Sequence, residues 1–249
     1  MFTELRAEVR AERDVVRDHL RGIPDEVWGR GTLMKGWTVR DVVSHLVVTD
    51  AMAVRTITEQ PSDFSVIRDA AGEISPLPLP KTAELAAVPA EAVREAFETC
   101  SDAALAALDA IEPDHPVLWG GGPMKAMSFA TSRLMEYWVH GLDVLAASGL
   151  ESEPTARLRH VAYLGYRTLG YAFRRAGVEG HDPRRLRLEL EAPDGGTWVF
   201  GPDDTDEVIR GSALEWCLVA VRRRTRAKTS LVGTGPLARA ALKHARAYA

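Results

Sequence analysis

One short stretch holds residue types whose spacing could do chemistry. In Arg133-Leu134-Met135-Glu136-Tyr137-Trp138-Val139-His140-Gly141-Leu142-Asp143-Val144, a carboxylate and an imidazole, Glu136 and His140, stand four apart. On a helix this spacing puts them on one face, with Cβ atoms about 5–6 Å apart. Arg133 and Asp143, three residues to either side, extend the same stripe. A carboxylate and an imidazole so placed can hold one metal ion together, and they equally suit a solvated pair on an exposed face. His45 lies beside the apolar row of Val42, Val43, Leu46 and Val47; a lone histidine there is more often a core residue bonded to a backbone carbonyl than a ligand. His19, near the end of a helix, reads as a surface residue suited to the helix dipole. His115, His160, His181 and His244 have no partner at useful spacing.

The elements that must position these groups can be read in chain order. Leu5, Val9, Val16 and Leu20 recur at helical spacing and predict an amphipathic helix over 3–21. Pro24-Asp25-Glu26-Val27-Trp28 reads as a short helical turn opened by proline. Thr38 and Asp41 form a capping-box pattern at the start of a helix that runs to about Ile57. Five prolines between 60 and 89 predict a long irregular connection, either a lid over a site or a surface excursion. A helix over 90–111 follows, then a loop containing Trp119-Gly120-Gly121-Gly122-Pro123. Its glycines could let a backbone approach a ligand, but no P-loop lysine or Rossmann spacing accompanies them. The chemistry-bearing stretch sits in a helix over 127–147, closed by Gly149.

Four long helices joined this way predict a four-helix bundle, in which metal ligands project inward from facing helices. Glu151-Ser152-Glu153-Pro154 breaks the pattern, so the expected domains are 1–150 and 151–249. The second begins with a helix over 156–176. Alternating Arg185–Leu190, a turn at Pro193–Gly196, and Thr197–Phe200 predict a hairpin, and Val208–Gly211 a third strand. Helices over 212–222 and 236–248 close the chain. The first of them ends in Arg222-Arg223-Arg224, a run that reads as a solvated helix end, with an anion site as the alternative. The fold class is therefore mostly α with a small α+β part.

Composition narrows the function classes. The 249 residues are 46% hydrophobic and 27% charged with a net charge of −4, the profile of a soluble globular protein without general affinity for nucleic acid or anionic lipid. The two cysteines, Cys100 and Cys217, lie far apart in apolar helical surroundings; they read as buried free thiols rather than a disulfide or a CxxC knuckle. The start of the chain is charged from the outset, and no run approaches the ~18 apolar residues of a membrane span. A cytoplasmic location with no membrane or nucleic-acid partner is expected.

Two motifs, Gly36-Trp37-Thr38-Val39-Arg40-Asp41-Val42-Val43-Ser44-His45-Leu46 and the Arg133–Val144 stretch, stand in one chain. Together with Trp119, the Trp198–Gly201 strand and the Cys217–Arg224 helix, they resemble the mycothiol-dependent maleylpyruvate isomerase family within the DinB-like metal-binding superfamily. The similarity is greatest to a branch of metal-binding proteins without an assigned reaction. The resemblance implies a DinB-like four-helix bundle followed by a C-terminal α+β domain, with metal ligands at His45, Glu136 and His140. It implies Zn²⁺ or another divalent metal, with a low-molecular-weight thiol such as mycothiol as a further cofactor. In such an isomerase the thiolate adds to an activated double bond, the resulting single bond rotates, and thiol loss completes a cis–trans isomerisation.

Within that frame Asp143 reads either as a group holding an imidazole or a neighbouring basic side chain, or as half of a helix-surface ion pair. Arg40 and Arg133 are candidates for contact with a carboxylate or thiol cofactor, since guanidinium forks suit carboxylates; pairing with Asp41, Glu136 or their neighbours is the alternative. The leading functional expectation is a zinc-dependent enzyme of thiol chemistry, an isomerase or transferase acting on a small electrophilic, anionic substrate. The alternatives are a thiol-independent metal enzyme, Lewis-acid or hydrolytic, and a non-catalytic binder of metal or a small molecule.

Overall fold

A computed structural model describes residues 1–60, 88–120 and 122–247. The proline-rich connection read as a lid or surface excursion lies, except at its ends, outside the described residues. The chain divides into two compact units, Met1–Ser152 and Glu153–Ala249.

The first unit is the four-helix bundle. Helix α1 (Phe2–Gly22) packs on α3 (Ala90–Asp109) and α4 (Ala126–Ala147), and α2 (Val39–Glu59) packs on the same two. The apolar rows read from the sequence form its core: Leu5, Val9, Val16 and Leu20 from α1, Val42, Val43, Leu46 and Val47 from α2, Val93 and Phe97 from α3, Phe129, Leu134 and Met135 from α4. Polar ties fix the helix ends. Arg6 donates to the carbonyls of Asp109 and Ile111 (2.6 and 3.0 Å), satisfying acceptors that the end of α3 leaves open. The close of α4 is a glycine-based cap: Gly149 takes φ +75°, its N–H donates to Ala146 O and that of Leu150 to Leu145 O, both at 3.0 Å.

Two sequence expectations are corrected in this unit. The glycine-bearing loop is a two-stranded antiparallel hairpin, β1 (Pro116–Trp119) with β2 (Gly122–Lys125), in which Trp119 pairs with Gly122. Gly122, which opens β2, sits at φ +114°, a backbone conformation that favours glycine whether or not a ligand is near. His19 is not a surface residue: it is half-buried, with Nε2 3.0 Å from Ser148 Oγ just beyond α4, and burial pushes its pKa down.

The second unit opens with α5 (Leu158–Arg167) and α6 (Leu169–Ala176), where one continuous helix was expected. The break falls at Thr168, whose hydroxyl donates back to Leu164 O at 2.8 Å while its backbone leaves helical geometry (ψ 0°). The sheet follows, in the order β4-β3-β5-β6: β3 (Arg187–Glu191), β4 (Thr197–Phe200), β5 (Val208–Ser212) and β6 (Val232–Thr234). β3 pairs antiparallel with β4 and parallel with β5, and β5 antiparallel with β6, a three-residue strand the sequence pattern does not signal. α7 (Ala213–Ala220) packs on α5 at Gly165, where a Cβ would come 2.8 Å from that of Ala220. α8 (Pro236–His244) ends the described secondary structure. Among the described residues, no helix is long and apolar enough to cross a membrane.

Candidate metal centre

α2 starts where the sequence requires. Thr38 accepts from the Asp41 N–H, and the Asp41 carboxylate accepts from the Thr38 N–H at 2.9 Å, closing the capping box. Two turns into the helix His45 emerges at the edge of the buried face, its ring packed edge-on against Trp37 at 5.5 Å between centroids. On α4, Glu136 and His140 share one face, one turn apart, and that face meets α2.

The three side chains converge. His45 Nε2 lies 3.2 Å and His140 Nε2 3.4 Å from the same Glu136 oxygen, Oε2. The two imidazole rings meet edge to face at 5.0 Å. Each residue offers one ligand atom, and these atoms all lie within 4.8 Å of one another. The donor set fits a divalent metal. A tetrahedral zinc ion with bonds of about 2.0–2.1 Å sets its ligand atoms roughly 3.3 Å apart, the spacing seen on both edges that meet at Glu136. Two neutral imidazoles and one carboxylate would leave the ion a net positive charge. Side-chain exposure falls from 32% at His45 through 20% at Glu136 to 6% at His140, so the cluster opens to solvent on the His45 side.

The electrostatics agree with an anion-and-imidazole cluster. Burial opposes ionisation of Glu136, but the hydrogen-bonding His140 and His45 outweigh it and hold the carboxyl well below the usual range. Burial likewise disfavours protonated His140, yet Asp143 and Glu136 outweigh it and raise its pKa. A proton and a metal ion would thus compete for the same nitrogen. Asp143 is fully buried, with Oδ2 3.0 Å from His140 Nδ1. A proton on Nδ1 donated to that carboxylate leaves Nε2, the atom facing Glu136, with a free lone pair.

The two arginines each have a protein partner. Arg133, a candidate for cofactor contact, is 3% exposed and donates to Asp50 Oδ1 at 2.6 Å, so its guanidinium serves the bundle interior rather than a ligand. The Tyr137 hydroxyl donates to the same oxygen at 2.7 Å. Asp50 is the residue that sequence reasoning missed. The signal was present: Asp50 continues the row Val43, Leu46, Val47 at helical spacing, a carboxylate on a buried face that required a cationic partner. Arg40, half-buried in the first turn of α2, donates to the Val88 carbonyl.

Residues 9–145 match the family model described as mycothiol maleylpyruvate isomerase N-terminal domain. Two curated relatives, both uncharacterised proteins of Mycobacterium tuberculosis from strains CDC 1551 / Oshkosh and ATCC 25618 / H37Rv, are each 34% identical over 246 residues. The aligned region covers 98% of this chain and 94% of theirs. Among solved structures, the mycothiol-dependent maleylpyruvate isomerase superposes with a TM-score of 0.63 at 19% identity. A variant of it with one histidine replaced by alanine superposes with a TM-score of 0.62 at 20% identity. Each alignment covers 90% of both chains. At this identity the superpositions establish a common fold.

Proposed function

We propose that this chain, which belongs to the mycothiol-dependent maleylpyruvate isomerase family, is a zinc-dependent enzyme of low-molecular-weight-thiol chemistry, an isomerase or thiol transferase. The observation that carries the reading is the convergence of His45 from α2 with Glu136 and His140 from α4, with His45 the most exposed of the three. A divalent ion held by these three would favour the anionic form of a thiol or water at neutral pH. His45 and His140 offer nitrogen donors, Glu136 supplies the single negative charge, Asp143 fixes the ring of His140, and Trp37 packs against that of His45.

The sulfur must come from outside the chain. Cys100 is 2% exposed and burial pushes its thiol up to about 12; Cys217 is wholly buried and pushed higher still. The substrate class is a small anionic electrophile with a conjugated double bond, of the kind the solved relative's name carries. Addition of the thiol sulfur to that bond, rotation about the resulting single bond and loss of the same thiol restore the double bond in the other geometry, with no net oxidation. Metal analysis of the purified chain tests the reading. About one divalent ion per wild-type chain, lost in His45→Ala while the helical circular dichroism persists, is the expected result. A wild-type protein that takes up no divalent metal ends it.

A further inference from the structure

The basic run that follows α7 contributes Arg222 and Arg224 to a concave site. From Trp216 to the end, the sequence holds eight Lys and Arg and no Asp or Glu. The second unit folds this segment around a cleft of about 510 Å³, within the range of small-molecule pockets. Five cations line it: Arg222, Arg224 and Arg226 from the connection after α7, Arg239 and Lys243 from α8. Among the described residues only Arg224 of these has a carboxylate partner, Glu215 at 3.8 Å, and Glu215 also accepts from the Ser230 N–H and hydroxyl. Arg222 sits at φ +61°, a left-handed position that glycine would take with less strain. A second cleft of about 210 Å³ shares Arg222 and adds Arg175, His244 and Arg246. Burial and the neighbouring Arg175 and Arg222 push Arg246 below its usual range, the mark of like charges held together.

From this concave, five-fold cationic wall with apolar Val219, Leu242 and Ala245 in its lining, we infer a binding site for a small oligophosphate ester. Guanidinium forks pair with phosphate oxygens two at a time. A triphosphate, with three to four negative charges, neutralises the wall where a dicarboxylate leaves most of it unbalanced. The apolar lining takes the uncharged remainder of the ligand. The concavity favours a compact ligand over the backbone of a nucleic acid, which the net charge of −4 also disfavours. This site is independent of the metal-centre reading.

Calorimetric titration of the full chain with inorganic tripolyphosphate at 0.15 M salt tests the inference without metal or activity. One saturable site is expected, weakened at least tenfold by the double substitution Arg226→Gln with Arg239→Gln, and again by Lys243→Gln alone. Arg210→Gln, on β5 and outside the cleft, should leave it unchanged, and citrate should bind more weakly than tripolyphosphate. Absence of saturable tripolyphosphate binding, equal weakening by Arg210→Gln, or tighter binding of a short DNA duplex than of tripolyphosphate overturns it.

Discussion

Asp143 bonds within its own helix and His19 bonds across to the end of α4, and the two do different work. Asp143 holds His140 Nδ1 at 3.0 Å from a fully buried position, so its loss should be felt in metal uptake at the candidate centre. Asp143→Asn keeps shape and an acceptor but removes the charge. It is expected to weaken metal affinity by about 10- to 100-fold, the usual cost of losing a carboxylate behind a ligating histidine. Competition against a chelator reads this directly, and unchanged affinity would make Asp143 a structural residue only. His19 acts on stability through protons. Burial lowers its folded pKa below the unfolded value of about 6.5, so the unfolded chain binds the extra proton. Its contribution is therefore full above pH about 6.5 and is lost as the pH falls below it. Thermal melts from pH 7.5 to 5.5 should show His19→Gln losing less stability than wild type across that window; parallel curves would remove His19 as a source of acid sensitivity.

At the scale of elements, α2 and α4 are clamped twice, once at the candidate metal ligands and once in the interior. The interior clamp is Asp50 of α2 with Arg133 and Tyr137 of α4, all fully or nearly fully buried. Arg133 remains a guanidinium: burial alone would lower its pKa, but Asp50 outweighs that. Asp50 Oδ2 and Arg133 Nε and Nη1 lack protein partners, so the pair is under-satisfied even when intact. A cavity of about 10 Å³ against Arg133 and Tyr137 is about large enough for a single water and too small for a ligand. Breaking the pair by Asp50→Ala strands a buried cation and should cost about 3–5 kcal/mol in urea unfolding. Asp50→Leu combined with Arg133→Met removes both charges and should recover most of that loss. Equal destabilisation by the single and double changes would show that shape, not charge, governs the site.

At the scale of the whole molecule, what the sequence made legible was whatever a local pattern determines. The apolar rows of α1 to α4, the Thr38–Asp41 capping box, the Gly149 cap and the β3–β4 hairpin all depend on residues a few positions apart, and all appear as read. What escaped depends on distant partners. Asp50 could not be matched to Arg133 across 83 residues, β6 is three residues paired to β5, and β1 pairs with β2 in a stretch that the pattern read as a loop. The convergence of His45 on Glu136 lies between these cases: spacing alone left both ambiguous, and the pairing of α2 with α4 brings them together.

That pairing also says where a metal's stabilisation must be felt. An ion bound only by the folded bundle, at a free concentration 100 times its dissociation constant, stabilises by about 2.7 kcal/mol. All three candidate ligands lie within Met1–Ser152 and none within Glu153–Ala249. Chelation should therefore speed amide hydrogen exchange in α2 and α4 and leave β3, β4 and β5 unchanged. Exchange that quickens equally in both units, or in neither, would place the ion outside the His45–Glu136–His140 cluster.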